Sequence, residues 1–239
     1  MAAGMTVSIT TVVNGIHQIH LGATSATLIE TGDSPVLIDV GWKWSYNRLK
    51  DSLRALGYCP EDISLVAMTH YHPDHSGGME AFRHKTGAHL AVHDAEALIY
   101  TSELPIPPIM YGWKGGFGIL NPLLNLVGMH PTPADIILQD KEMLPSVADI
   151  EVIHTPGHTS GSVSFYIPSK QTLIVGDAMM YKHGKLSPPH STFSHDNVVA
   201  LDSIRKLTQY DCSVVCFSHY PPLIGDAQNQ INELAASVG

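Results

Sequence analysis

The chain is 239 residues long, 44% hydrophobic and 15% charged, with a formal net charge of −9 at pH 7. That length and apolar share can bury one sizeable core, whereas basic residues scattered under a net negative charge disfavour a nucleic-acid partner, which needs a clustered cationic face. No apolar run is long enough to span a bilayer, so no membrane partner is expected either.

Three cysteines, Cys59, Cys212 and Cys216, form no CxxC pair, and the first residues, Met1 to Thr6, lack the basic and apolar regions of a signal peptide. Both features point to a reducing cytoplasm. No polar or Ser/Gly-rich linker divides the sequence, so one domain over residues 1–239 is expected.

Residues 6–40 read as a β-meander of short β-rich runs, Val7 to Val13, Ile16 to Leu21, Ala26 to Glu30 and Val36 to Val40, with Asn14-Gly15 as a hairpin signal. His17 and His20 share one of these strands with no carboxylate nearby and read as ordinary strand residues. Asp39 closes the run Val36-Leu37-Ile38 just before Gly41, where a turn role and a site role weigh equally. Residues 44–56 carry Leu49, Leu53 and Leu56 at helical spacing with Gly57 as the stop. The apolar run Ile63 to Met68 then predicts a buried strand.

Directly after that strand come His70, His72, Asp74 and His75, three imidazoles and a carboxylate within six positions. Neutral imidazole and carboxylate are the donors that zinc and similar borderline cations take, and a cluster without cysteine favours a catalytic over a closed structural site. Alternate residues of one short turn project in different directions, so the four groups cannot all reach one ion, and two metals are implied.

Beyond the cluster, Ser76 to Lys85 reads as a helix, Ala88 to Val92 as a strand and Asp94 to Tyr100 as a short helix capped by Asp94. His84, His89 and His93 are expected to have surface or packing roles. Residues 102–134 are rich in proline and glycine, poor in charge, and hold Trp113 and Phe117. That composition suits an apolar cover over the mouth of the site, with a homodimer contact or plain packing as its other uses. Strands follow at Ile136 to Leu138, Ile150 to His154, Ser162 to Ile167, Thr172 to Val175 and Ser213 to Phe217, with helices at Ser194 to Leu207 and Ala227 to Ala236. Cys212 and Cys216, an even number apart, are expected to share a face of the last strand as small hydrophobes.

Three further strand ends carry candidate donors. His154 and His158 flank a Pro156-Gly157 turn, Asp177 follows Leu173 to Gly176, and His219 follows Val214 to Ser218. Taken singly, Asp177 is weak evidence and a turn histidine is the better account of His219, while a packing role is the alternative for His158.

The run His70-x-His72-x-Asp74-His75-Ser76-Gly77-Gly78 resembles the signature of the metallo-β-lactamase-fold hydrolase superfamily, and the ordered residues after it extend the resemblance over nearly the whole chain. The resemblance implies a four-layer αββα sandwich, two mixed β-sheets packed face to face with helices on both outer faces. It assigns His70, His72 and His158 to one divalent ion and Asp74, His75 and His219 to the other, with Asp177 bridging and Asp39 behind a ligand imidazole. His154 falls to a supporting role. Two zinc ions are the expected cofactors, with iron or manganese as alternatives. The family mechanism has a hydroxide between the ions attack a carbonyl, with Asp74 orienting it and passing on its proton. Asp74 and Asp177 are thus the expected catalytic carboxylates, and the expected partner is a small-molecule ester, lactone or thioester. The alternatives are a β-lactamase or a phosphoester or phosphotriester hydrolase on the same site and, from another class, the di-iron oxidoreductase use of the fold, whose pattern resembles one with glutamate where His72 stands. Lactonases of the family carry a tyrosine three positions past the bridging aspartate. Here Met180 holds that place and Tyr181 follows, a substrate-contact candidate with Trp113 and Phe117.

Overall fold

Gly15, at φ +80°, lets the chain turn straight from Val13 back into Ile16, and the first hairpin forms where Asn14-Gly15 predicts it. The structure, a computed structural model, describes residues 7–32, 34–107, 132–145, 147 and 149–238. The hairpin opens a seven-stranded sheet whose strands lie in chain order: β1 (Ile9–Val13), β2 (Ile16–His20), β3 (Ser25–Ile29), β4 (Val36–Ile38), β5 (Leu65–Ala67), β6 (His89–His93) and β7 (Ile136–Leu138). Pairing is antiparallel through β4 and parallel from there on. The second sheet holds β8 (Glu151–His154), β9 (Val163–Ile167), β10 (Thr172–Ile174), β13 (Val214–Cys216) and β14 (Leu223–Ile224), in the spatial order β14-β13-β10-β9-β8. A separate two-stranded hairpin pairs β11 (Met180–Lys182) with β12 (Lys185–Ser187).

Side-chain alternation along these strands builds three apolar layers. Val36 and Ile38 of β4 and Val214 and Cys216 of β13 meet in the core between the sheets. Leu37, one residue along, faces outward with Leu49 and Leu53 of α1 (Tyr46–Ala55). On the far side, Leu173 and Val215 pack with Ile204 of α5 (Asn197–Leu207) and Ile231 of α6 (Ala227–Ser237). The expected αββα sandwich of two mixed sheets is therefore the observed architecture.

Local departures have local causes. The helix expected over Ser76 to Lys85 is a single turn, α2 (Pro73–Ser76), followed by α3 (Met79–Thr86). The break falls at Gly78, where an added Cβ would lie 3.1 Å from the carbonyl oxygens of Val40 and Trp42. Helix α4 (Asp94–Tyr100) has the expected span, but His93 caps it, its Nδ1 accepting from the Ala95 amide at 3.2 Å, while Asp94 is already helical. Cys212 and Cys216 do not share a face: Cys212 precedes β13 and packs in the outer layer, and Cys216 packs between the sheets. His17 does have a carboxylate in reach, Glu30 Oε1 at 3.3 Å, because β2 and β3 pair Ile16 with Ile29. Strand β14 and the β11–β12 hairpin were not foreseen. The hairpin turns at His183 and Gly184, both at positive φ, as a two-residue turn requires. Trp113 and Phe117 and most of the proposed cover lie outside the described residues.

Candidate metal centre

Strands β4 and β5 run parallel, as do β10 and β13, and β8 shares the direction of β10 through the intervening antiparallel β9. The carboxyl ends of five strands thus face one edge of the sandwich, the usual location of sites in such layers, and deliver Asp39, His70, His158, Asp177 and His219 there. Close approaches lock that edge. A Cβ on Gly176 would fall 2.8 Å from the Thr69 Cβ, and the Val163 amide donates to the Thr69 carbonyl at 2.9 Å. Gly157, at φ +126°, lies so near α5 that a Cβ would overlap the Ala200 backbone. Gly157→Ala is accordingly expected to lower stability by about 2–4 kcal/mol, from left-handed strain and overpacking together. A thermal melt with Tm unchanged would contradict this.

The seven candidate donors meet. The ligand-capable atoms of three groups, His70 with His72 and His158, His70 with His75 and Asp177, and Asp74 with His75 and His219, each lie within 4.8 Å of one another. His72 Nδ1 is 3.0 Å from both His70 Nε2 and His158 Nε2. Asp177 Oδ2 faces His219 Nε2 at 3.2 Å, His158 Nε2 at 3.5 Å and His75 Nε2 at 3.7 Å. Asp74 Oδ2 lies 3.3 Å from His219 Nε2 and 3.6 Å from His75 Nε2.

Hydrogen bonds behind the imidazoles settle which nitrogens look inward. Thr69 Oγ1 donates to Asp39 Oδ2 at 2.8 Å, so its oxygen accepts from His70 Nδ1 at 3.0 Å and leaves His70 Nε2 as a lone pair. His75 Nδ1 donates to Asp39 Oδ2 at 2.9 Å, and His219 Nδ1 to the Ala23 carbonyl at 2.7 Å. With His70 Nε2 a lone pair, a proton on His72 Nδ1 or on His158 Nε2 can complete only one of the two 3.0 Å contacts, so at least one nitrogen–nitrogen approach is left without a hydrogen bond. Among the described residues the buried His75 Nε2 has no partner at hydrogen-bond distance, with the oxygens of Asp74 and Asp177 at 3.6 and 3.7 Å. Both observations fit a cation: nitrogens about 2.0–2.1 Å from a tetrahedral zinc stand about 3.3 Å apart. Asp39 itself is 1% exposed and also accepts from the Thr69 amide at 2.8 Å. Asn at position 39 tolerates the observed φ of 60° but turns a donor toward a ring of donors. Asp39→Asn should cost about 1–3 kcal/mol of stability and weaken metal binding about ten- to a hundredfold, as read by a melt and a chelator competition.

Electrostatics divide the imidazoles into two sets. Burial, reinforced by neighbouring imidazoles, holds His70 and His72 well below the ordinary histidine range, and burial brings His158 down to about 4. These three are neutral donors. Burial acts in the same sense on His75 and His219, but Asp74 and Asp177 around both, with Asp39 beside His75, outweigh it and raise them to about 10 and about 12. Asp74 is drawn down to about 2 and Asp177 well below its ordinary value, their burial overcome by His75 and His219. Two protons thus occupy positions where a cation would balance the same carboxylates.

A family profile described as the metallo-beta-lactamase superfamily matches residues 20–219, from β2 through the last candidate histidine. The chain belongs to the metallo-β-lactamase superfamily. It is a metal-dependent hydrolase of that superfamily. Among similar proteins, a probable metallo-hydrolase, YflN, of Bacillus subtilis is 24% identical over 237 residues, covering 92% of this chain and 90% of that protein. An N-acyl homoserine lactonase of a Bacillus species is 26% identical over 228 residues, covering 80% of this chain and 79% of the lactonase. A metallo-β-lactamase family structure from Thermus thermophilus superposes with a TM-score of 0.72 at 22% identity, over 95% of this chain and 80% of that one.

As in a hydrolase, the cluster opens into a cavity, here of about 520 Å³, whose walls include Trp42, Met179, Met180, Phe193 and Tyr220, with Lys182 and His190 as basic groups. Tyr181 is not among the lining side chains. Alternation along β11 turns Met180 and Lys182 to the cavity, while the Tyr181 ring stacks on Phe217 with centroids 5.6 Å apart. His154 lies outside the cluster, its ring stacked on His93 at 3.9 Å and its Nε2 donating to the Ser160 carbonyl at 3.0 Å, which braces the turn carrying His158. Among the described residues, no helix is long and apolar enough to cross a membrane.

Proposed function

We propose that the protein is a dinuclear hydrolase of a small ester, lactone or thioester. In this reading His70, His72 and His158 would hold one ion and Asp74, His75 and His219 the other, with Asp177 the carboxylate that would serve both. The observation that carries it is Asp177 Oδ2, within 3.7 Å of one imidazole nitrogen from the first set and two from the second. A nitrogen-rich set with two carboxylates suits zinc, with iron and manganese next. Divalent cations bound there supply the Lewis acidity that makes water nucleophilic near neutral pH. The protein's own part is to fix donor geometry and to handle protons. Asp74, whose side chain is 22% exposed and lines the cavity, turns Oδ2 toward His75 and His219 and would use its other carboxylate oxygen to take a proton and return it to the leaving group. Apolar walls around about 520 Å³ suit an acyl or aromatic substituent. The likeness to N-acyl homoserine lactonases supports the ester and lactone class. All three cysteines are free thiols, in keeping with a reducing compartment such as the cytoplasm.

The test is a panel of esters, lactones and thioesters offered to zinc-loaded protein, with His72→Ala as the control. Turnover by wild type that disappears in the variant supports the assignment, and equal rates for both would refute it.

A further inference from the structure

Glu96 lies on α4, outside the donor set, yet it is 1% exposed. An acid inside a fold needs a reason, since burial pushes its carboxyl up to about 7 even against the hydrogen bonds that favour its charge. Its partners come from two loops. Thr159 Oγ1 and the Gly161 amide, the latter at 3.2 Å, both donate to Glu96 Oε1 from the turn that carries His158. The Tyr71 amide donates to it from between His70 and His72. The geometry is built to admit this side chain: a Cβ on Gly161 would lie 2.7 Å from the Glu96 Cγ. One helical turn later on the same face, Tyr100 Oη donates to the His70 carbonyl at 3.3 Å. The other donors have supports of their own, Asp39 behind His75 and the Ala23 carbonyl behind His219.

We propose that Glu96 is a positioning residue for the three-histidine ion, clamping the His70–His72 loop to the His158 turn and setting the affinity of that ion alone. The inference rests on the reading that the cluster binds two cations. Among the described residues every hydrogen-bond partner of Glu96 is a donor, so the charged, acceptor-only form of the carboxyl suits the place, while glutamine would keep one acceptor oxygen and turn an amide against a third donor.

The test uses the full-length apo-protein titrated with Co²⁺ and followed by visible absorption, for wild type, Glu96→Gln and Thr159→Val. Valine keeps the shape of Thr159 and removes its hydroxyl, so this variant keeps the test valid if the buried Glu96 substitution does not fold. The expected result is two equivalents bound by wild type. In each variant, one equivalent should weaken about ten- to a hundredfold with an altered spectrum while the other is unchanged. Unchanged affinities, or equal weakening of both equivalents, would overturn the role of Glu96. A wild type that takes up no Co²⁺ would instead overturn the dinuclear reading itself.

Discussion

Asp177→Asn is expected to reduce hydrolysis more than about a thousandfold and to lower bound metal from two equivalents toward one. Outer partners of a metal site are typically worth about ten- to a hundredfold, and a direct ligand of both ions, the role proposed for Asp177, should be worth more. Asn keeps the volume and still offers one oxygen, but it removes the charge. In the ion-free chain that charge faces His75 and His219, both held protonated by it and by Asp74. Its loss leaves two imidazolium groups with one carboxylate fewer, so both should shed protons more readily. Metal content measured by elemental analysis, together with kcat/KM on the best substrate of the panel, decides the matter. Two equivalents bound and activity within about tenfold of wild type would show that Asp177 does not join the ions.

What the sequence made legible follows from how local each signal is. The His70 to His75 run carries its meaning within six residues, and the strand before it shows as Ile63 to Met68. Asp39, His158, Asp177 and His219 each stand at the end of an apolar strand, where a lone polar residue is ordinary. Only their order, set against a family pattern, singled them out, and only the fold brings them within reach of the early cluster. Glu96 gave no signal at all, because an acid in a short amphipathic helix reads as its solvent face. The β11–β12 hairpin was missed, and with it the parity that decides which side chains see the cavity. Tyr181 stood one position from the family place, and in a strand a shift of one residue exchanges the faces, so Met180 and Lys182 line the wall instead. The Glu30 partner of His17 belongs to a cross-strand pairing that neighbours in sequence do not reveal. The boundary at Gly78 depends on carbonyls of residues 40 and 42 that a helical pattern cannot see.

The ion-free protein should be most stable near pH 6.5 and lose stability on both sides, whereas the metal-loaded protein should lose only the alkaline decline. On the acid side the relevant groups are His70, His72 and His158, whose folded values lie below 6.5, that of His158 at about 4. Between those values and 6.5 the unfolded chain binds protons that the folded chain refuses. Stability therefore falls with falling pH, by about 1.4 kcal/mol per unit for each fully coupled histidine. On the alkaline side His75 and His219 keep protons to about 10 and about 12. Their contribution is complete below 6.5 and is lost as pH rises through those values, because the unfolded histidines have already let go. Asp74, depressed to about 2, contributes above 3.8 and fails only in stronger acid. Bound cations displace the two protons and take over their balance with Asp74 and Asp177, which removes the alkaline slope. They also make acid more destructive, since protons then compete for every imidazole. Thermal melts from about pH 5 to 9, with chelator and with zinc, separate the cases. A chelated protein whose Tm is flat or rises steadily across that range would show that the two sets of imidazoles are not held in opposite protonation states.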